Sequence, residues 1–265
     1  MKTILTIAGS DCSGGAGIQA DLKTIGAHGL YGMSVITAVT VQNTVGVKRV
    51  EPMESGLVEE QLRAVFEDIM PDAIKIGMVV TKKNIEAVAR VLTEYKRPGK
   101  GPFVVLDPVL ISTSGKKLLQ DDAEEALKEQ LFGISDMITP NLPEACHIGN
   151  TRIMSPQQRE EVAKDMARRY GCSVLIKGGH GDVGADDLLF HFKKDRCTWY
   201  SSEKIDSQNN HGTGCTLSSA IACNMALGMT MEQAVENAKE YITGALRDGL
   251  NLGHGNGPLN HFFQK

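Results

Sequence analysis

Short apolar runs alternate with amphipathic stretches along the whole chain. Residues 3–8 and 33–41, with Ala73–Ile76, Phe103–Leu106, Met137–Ile138 and Ser173–Ile176, predict strands. Most of these runs are continuously apolar rather than alternating, the pattern of strands buried on both faces of a parallel sheet. Residues 57–70 place Leu57, Val58, Leu62, Val65, Phe66 and Ile69 on one helical face. Ser155-Pro156-Gln157-Gln158 and Thr230-Met231-Glu232-Gln233 read as capping boxes; the first has proline at the opening helical position, and the second opens a helix to about residue 246. Residues 187–192 and 197–200 predict a small antiparallel pair, turned at Lys193-Lys194-Asp195. Residues 217–227 form a further apolar helical stretch. Alternating strands and helices imply a parallel sheet covered by helices, and the absence of repeats or linker composition predicts one domain over residues 1–265. In such sheets ligands bind beyond the carboxyl ends of the strands, so the loops there are where chemistry is sought.

Composition narrows the picture. Glycine accounts for 28 of 265 residues, about 11% against a usual ~7%, and it sits among apolar runs without a collagen period. With 42% hydrophobic residues and a net charge of -4, disorder is excluded. No basic stripe points to nucleic acid. No run approaches 18 apolar residues, and the first apolar run breaks at Gly9-Ser10-Asp11, so neither a membrane span nor a signal peptide is expected. Six cysteines lack a C-x-x-C pair and read as reduced thiols of a cytosolic protein, and seven scattered histidines offer no zinc motif.

Four glycine- or carboxylate-bearing loops remain. Gly15-Ala16-Gly17-Ile18-Gln19-Ala20 formally fits a dinucleotide fingerprint. However, it starts six residues after the predicted strand, and no carboxylate follows at the ribose-binding distance. His211-Gly212-Thr213-Gly214-Cys215 runs into a helix, where bare backbone N–H groups and the helix dipole could form an anion hole. An ordinary helix start capped by Thr213 is the plainer reading of the same residues. Cys215 at that helix start is a candidate thiolate, with a small buried hydrophobe as the alternative. Asp107, ending a strand, and Glu144, in the first turn of a helix, suit Mg2+ or equally a solvated strand end and a dipole-complementing residue. Lys177 in Lys177-Gly178-Gly179-His180 could neutralise phosphate at another strand end.

Taken together, in this order, these elements resemble the ribokinase-like superfamily, and within it the hydroxymethylpyrimidine/phosphomethylpyrimidine kinases of thiamin biosynthesis. The resemblance is carried by Gly9-Ser10-Asp11, Ser13-Gly14-Gly15-Ala16-Gly17-Ile18-Gln19-Ala20-Asp21, Gln42-Asn43-Thr44, Lys75-Ile76-Gly77-Met78 and Asp107-Pro108-Val109. Further along, Thr139-Pro140-Asn141-Leu142-Pro143-Glu144, the Gly212-Thr213-Gly214-Cys215 loop and Gly253-His254-Gly255-Asn256-Gly257-Pro258 continue it. It implies an α/β three-layer αβα sandwich with a central, mainly parallel sheet, usually as a homodimer. It also implies two ATP-dependent phosphorylations, of 4-amino-5-hydroxymethyl-2-methylpyrimidine and then of its monophosphate. By the same resemblance Gly9, Asp21, Gln42, Met78 and Val109 would line the pyrimidine pocket. Asp107 and Glu144 would act on Mg2+; Asn141, Lys177 and Lys239 would meet the nucleotide. Gly212, Thr213, Gly214 and Cys215 would form the anion hole, with Cys215 the base where most of the superfamily has aspartate. The nearest alternative is a pyridoxine/pyridoxal/pyridoxamine kinase on the same fold. A silent binder on that fold, a thiol hydrolase and a nicotinamide or flavin site are further readings.

Overall fold

A computed structural model of the chain describes residues 1–96, 101–110, 119, 120, 122–179, 186–201, 205 and 207–264. In chain order the elements are β1 (Thr3–Asp11), α1 (Gly17–Ala27), β2 (Tyr31–Asn43), β3 (Gly46–Pro52), α2 (Ser55–Asp68), β4 (Ala73–Ile76), α3 (Lys82–Tyr95) and β5 (Phe103–Leu106). There follow α4 (Ala123–Ala126, continued as a π-helical turn Leu127–Leu131), β6 (Met137–Ile138), α5 (Leu142–Ile148), α6 (Pro156–Tyr170) and β7 (Ser173–Ile176). The described elements end with β8 (Asp187–His191), β9 (Arg196–Tyr200), α7 (Thr213–Ala226) and α8 (Met231–Arg247).

One sheet of nine strands runs in the order β3-β2-β1-β4-β5-β6-β7-β8-β9. The stretch from β2 to β7 is parallel, and β3, β8 and β9 are antiparallel. Alternate side chains of each strand feed two cores, which makes three layers. Leu5, Ile7, Ile74 and Ile76 meet α2, α3 and α6 on one face. Ile4, Ala73, Val105 and Met137 meet α7 and α8 on the other. The continuous apolar runs follow from this burial on both sides. The architecture is the expected αβα sandwich.

Several boundaries differ from those read in the sequence. β1 continues past Ala8 to Asp11, with its pairing to β2 shifted between Ala8 and Ser10. This leaves three residues, not six, before Gly15. The edge strand β3 was not legible, because Gly46-Val47-Lys48-Arg49-Val50-Glu51-Pro52 mixes exposed charges with valines. In α2 the buried face is Val58, Leu62 and Phe66, while Leu57 and Ile69 stand exposed. Thr230 and Gln233 form the complete capping box that was expected. At Ser155 only half of it forms: Ser155 Oγ accepts from Gln158 N, but the Gln158 side chain accepts from Met154 N instead. A third, unread box joins Asn141 and Glu144 at the start of α5.

Candidate functional site

The carboxyl ends of β1, β4, β5, β6 and β7 open into one cavity of about 1130 Å³, roofed by the start of α7. That volume is ample for a nucleotide and a small heterocycle together. Gly9, Gln42, Met78 and Val109 line it, as do Asp107, Asn141, Glu144, Lys177 and Lys239. Gly212, Thr213, Gly214 and Cys215 complete the wall on the α7 side. Asp21 is the exception among the expected site residues. It is fully buried in α1, ion-paired to Lys75, and hydrogen-bonded by Thr6 and Ser219. It faces the packed layer between sheet and α7, which corrects its expected place at the pyrimidine.

The anion hole is built by backbone conformation. Gly212 caps α7 with φ 84°, and a Cβ there would collide with the Gly15 carbonyl oxygen, so the two glycine loops touch. No side chain caps the helix, so Gly212 takes the place given to Thr213 in the plainer sequence reading. The first amides of a helix have no intrahelical acceptor and lie at the positive end of the dipole; here Thr213 N donates to Asn210 O at 3.4 Å, and Gly214 and Cys215 are the next two. Gly214 keeps this wall thin: a Cβ would come within 2.9 Å of Asp107 Oδ2 and 3.3 Å of Lys177 Nζ.

Cys215 is partly exposed at that helix start. Burial pushes its thiol up, aided by Asp21 and Asp107, and the opposing pull of Lys75 and of the Gly17 N–H does not reverse it. The lowering expected from the helix end is therefore corrected: desolvation outweighs the Lys75 charge and the Gly17 N–H.

Lys177 bridges the acidic side. Its Nζ donates to Asp107 Oδ1 at 2.6 Å, and Thr139 donates to the same oxygen at 3.2 Å. Burial would discharge Lys177, but Asp107 and Glu144 keep it protonated. Glu144 accepts from Leu110 N and Asn141 N, and burial pushes its carboxyl up, with Lys177 opposing and Asp107 adding to the rise. Two carboxylates with too little positive charge between them fit Mg2+, which takes one or two carboxylates and fills its shell with phosphate and water. Among the described residues no group of three or more metal-ligating side chains gathers. Lys239 Nζ donates to Asp187 Oδ2 at 2.6 Å, both side chains buried. His180 and Gly181 lie outside the described residues.

Three contributors stood in the quoted motifs without a role of their own. Asp11, at the end of β1, accepts from Ser13 N and Oγ, Gly15 N, Ala16 N and the His211 ring. Burial would raise its carboxyl, but hydrogen bonds from His211 and Ser13 hold it well below the usual range. His211 faces Asp11, with Nε2 2.9 Å from Oδ2. The C-terminal glycines explain themselves as close approaches: a Cβ on Gly253 or Gly255 would strike Thr44, and one on Gly257 would strike Asn209. Asn256 N donates to Thr44 O at 2.8 Å, so this segment clamps the β2–β3 turn beside the cavity. No spacing rule flags pairs such as Asp11 with His211 or Thr44 with His254, which join residues about two hundred positions apart.

Fold and cavity define a kinase of the ribokinase-like class. The sequence profile of the family described as phosphomethylpyrimidine kinase matches residues 11–260, and the chain belongs to that family. The hydroxymethylpyrimidine/phosphomethylpyrimidine kinase of Rhizobium meliloti is 44% identical over 262 residues, covering 97% of this chain and 96% of the relative. The thiamine biosynthesis bifunctional protein ThiED of Geobacter sulfurreducens is 44% identical over 98% of this chain, which spans only 52% of that longer protein. Among solved structures, phosphomethylpyrimidine kinase from Clostridium difficile superposes with a TM-score of 0.81 at 45% identity, covering 92% of this chain and 98% of that one. The ADP complex of Bacillus subtilis pyridoxal kinase gives 0.86 at 34% identity, covering 98% and 97%.

Proposed function

We propose that the protein uses ATP to phosphorylate 4-amino-5-hydroxymethyl-2-methylpyrimidine and then its monophosphate, giving the diphosphate used in thiamin biosynthesis. The observation that carries the reading is near-full-length identity to kinases of this name, together with a single cavity lined by every carried-over residue but Asp21. The pyrimidine would lie between Gly9, Gln42, Met78 and Val109, where an amide and a thioether suit an aminopyrimidine edge and face. Asn141, Lys177 and Lys239 would meet the nucleotide.

In the first reaction the substrate hydroxyl oxygen bonds to the γ-phosphorus, the bond to the β,γ-bridging oxygen breaks, and ADP leaves. Cys215 in its thiolate form takes the hydroxyl proton, while the amides of Gly212, Thr213, Gly214 and Cys215 stabilise charge on the transferring group. In the second reaction the attacking oxygen belongs to a phosphate and needs little deprotonation, so Cys215 matters less. Asp107 and Glu144 would hold Mg2+, which neutralises phosphate charge when bound.

The residues form one domain in this reading, and the protein is cytosolic, in keeping with its free cysteines. Among the described residues no helix is long and apolar enough to cross a membrane. A homodimer is proposed, with the exposed Val39, Val41 and Val45 beside edge strand β3 as the surface that favours it.

Likeness to pyridoxal kinases makes B6 phosphorylation the second reading. The test is ATP consumption with the pyrimidine alcohol, its monophosphate and the B6 vitamers under matched conditions. Preferred turnover of the two pyrimidines is expected; preferred turnover of pyridoxal would overturn the assignment.

A further inference from the structure

The β2–β3 hairpin brings Gln42 to the cavity on a tip set apart from the rest of the sheet. Val41 pairs with Arg49, but Gln42 pairs with Val47, so Lys48 is an extra residue and makes a bulge. Beyond the bulge only two pairs follow, Gln42 with Val47 and Asn43 with Gly46, closed by Thr44 and Val45. Gln42, Asn43, Thr44, Gly46 and Val47 all line the cavity. A bulge beside a site re-aims side chains and lets the strand bend, so contacts outside the ladder set where Gln42 stands. Toward β1, Gln42 O accepts from the Cys12 thiol at 3.2 Å, a weak donor.

The stronger tether is the C-terminal segment. Thr44 Oγ1 accepts from His254 N at 3.2 Å and from Gly255 N at 3.3 Å, and Thr44 O accepts from Asn256 N at 2.8 Å. Gly257, next in the same segment, donates to Gln208 O at 2.9 Å and accepts from His211 N at 3.0 Å. His211 directly precedes Gly212 at the start of α7. Four consecutive residues thus join the tip that bears Gln42 to the loop that opens the anion hole.

We propose that Thr44 is a positioning residue for the phosphoryl acceptor. By latching the hairpin tip to residues 254–257 it fixes Gln42 relative to the start of α7, so that the substrate hydroxyl meets the transferring group. The inference rests on the pyrimidine reading, in which Gln42 holds the substrate alcohol.

Thr44→Val keeps the shape of the side chain and removes the oxygen that the two amides need, whereas Thr44→Ser keeps the oxygen. Initial rates with the pyrimidine alcohol and ATP each varied are compared in wild type, Thr44→Val, Thr44→Ser, Gln42→Ala and Thr44→Val with Gln42→Ala. Thr44→Val is expected to raise the KM for the alcohol at least about fivefold and to leave that for ATP within about twofold. Thr44→Ser should stay within about twofold of wild type for both. With Gln42 already alanine, Thr44→Val should add less than about twofold, because its effect passes through the missing amide. A merely structural role would raise both KM values and give the same loss in both backgrounds. An unchanged KM in Thr44→Val, an equal loss in Thr44→Ser or additive losses would overturn the proposal.

Amide exchange gives a readout independent of turnover. In the 15N-labelled wild-type protein the His254 and Gly255 amides should exchange at least about tenfold more slowly than in an unstructured chain, and Thr44→Val should release them. Exchange at the unstructured rate in wild type, or undiminished protection in folded Thr44→Val, would equally overturn it. If wild type does not turn over the alcohol, it is the pyrimidine reading that fails, and the exchange comparison still decides whether Thr44 forms the latch.

Discussion

Lys75 Nζ sits 2.8 Å from Asp21 Oδ2 and 3.0 Å from Oδ1, with both side chains at 0% exposure. The pair joins β4 to α1 beneath the start of α7, whose Ser219 also donates to Asp21. Burial alone would strip the lysine of its proton; the Asp21 charge outweighs that and holds its pKa above the ordinary value. The chemistry is that of a buried strut under the site rather than of a ligand contact.

Replacing Lys75 by methionine leaves Asp21 charged and uncompensated in the interior. Breaking a buried pair by removing one partner costs ~3–5 kcal/mol, whereas removing both charges is often close to neutral. Lys75→Met is therefore expected to lose stability on that scale in urea unfolding, and Lys75→Met with Asp21→Asn to recover most of it. A Lys75→Met protein of wild-type stability with a raised KM for the pyrimidine would return Asp21 to the ligand pocket.

The parts of the fold that were legible share one physical cause. Strands such as Ala73–Ile76 and Ser173–Ile176 are fully buried, so apolar runs and burial coincide except at Lys75, whose charge Asp21 compensates. The site residues follow those strands and converge because a parallel sheet gathers its carboxyl ends on one side. What was not legible depended on partners far away. Asp21 looked like a binding residue until Lys75, 54 positions on, supplied its counter-charge. Cys215 looked activated from its place on the helix, but the environment that raises its pKa comes from packing across the layers. Asp11 stood in a quoted motif without a role, because its donors come from the glycine loop after it and from His211, 200 positions on.

Cys215→Ala is expected to slow the first phosphorylation by ~10²–10⁴-fold, the usual scale for loss of a general base, and the second much less. Because the thiol is raised, the reactive thiolate is the minor form near neutrality. The first reaction should therefore speed up with rising pH, by on the order of tenfold per unit while thiol predominates, and the slope should vanish in Cys215→Ala. Initial rates of both reactions across neutral and mildly alkaline pH check this; unchanged turnover in the variant removes Cys215 from the chemistry.

Two glycines at the site should respond differently to alanine. At Gly9 the new Cβ clashes only with the terminal methyl of Met78, a flexible thioether that can swing away, and otherwise touches Ala38 at ordinary contact distance. The expected result is a folded protein with a raised KM for the pyrimidine and little change for ATP. At Gly212 the new Cβ meets the Gly15 backbone, and φ 84° is itself unfavourable for alanine. That substitution should cost at least ~2 kcal/mol and collapse kcat for both reactions. Thermal unfolding with steady-state kinetics on the two variants distinguishes them, and equal behaviour would mean the two loops do not touch in solution.

His261 ties the C-terminal segment to α7: its Nε2 is 3.0 Å from Thr216 Oγ1, one residue past Cys215, and its carbonyl accepts from Tyr241 Oη. The side chain is buried, and burial, with Lys23 nearby, lowers its pKa from 6.5 to about 4. The folded protein thus resists protonation that the unfolded chain accepts. Between the two pKa values the unfolded state binds more protons, so stability rises with pH from about 4 and levels off above about 6.5. A shift of this size corresponds to on the order of 3 kcal/mol lost on acidification through that window. His261→Gln keeps a side chain able to bond Thr216 without titrating. It should show a flatter stability profile from pH 6.5 down to about 4 in urea unfolding at a series of pH values. A profile as steep as wild type would place the acid sensitivity elsewhere.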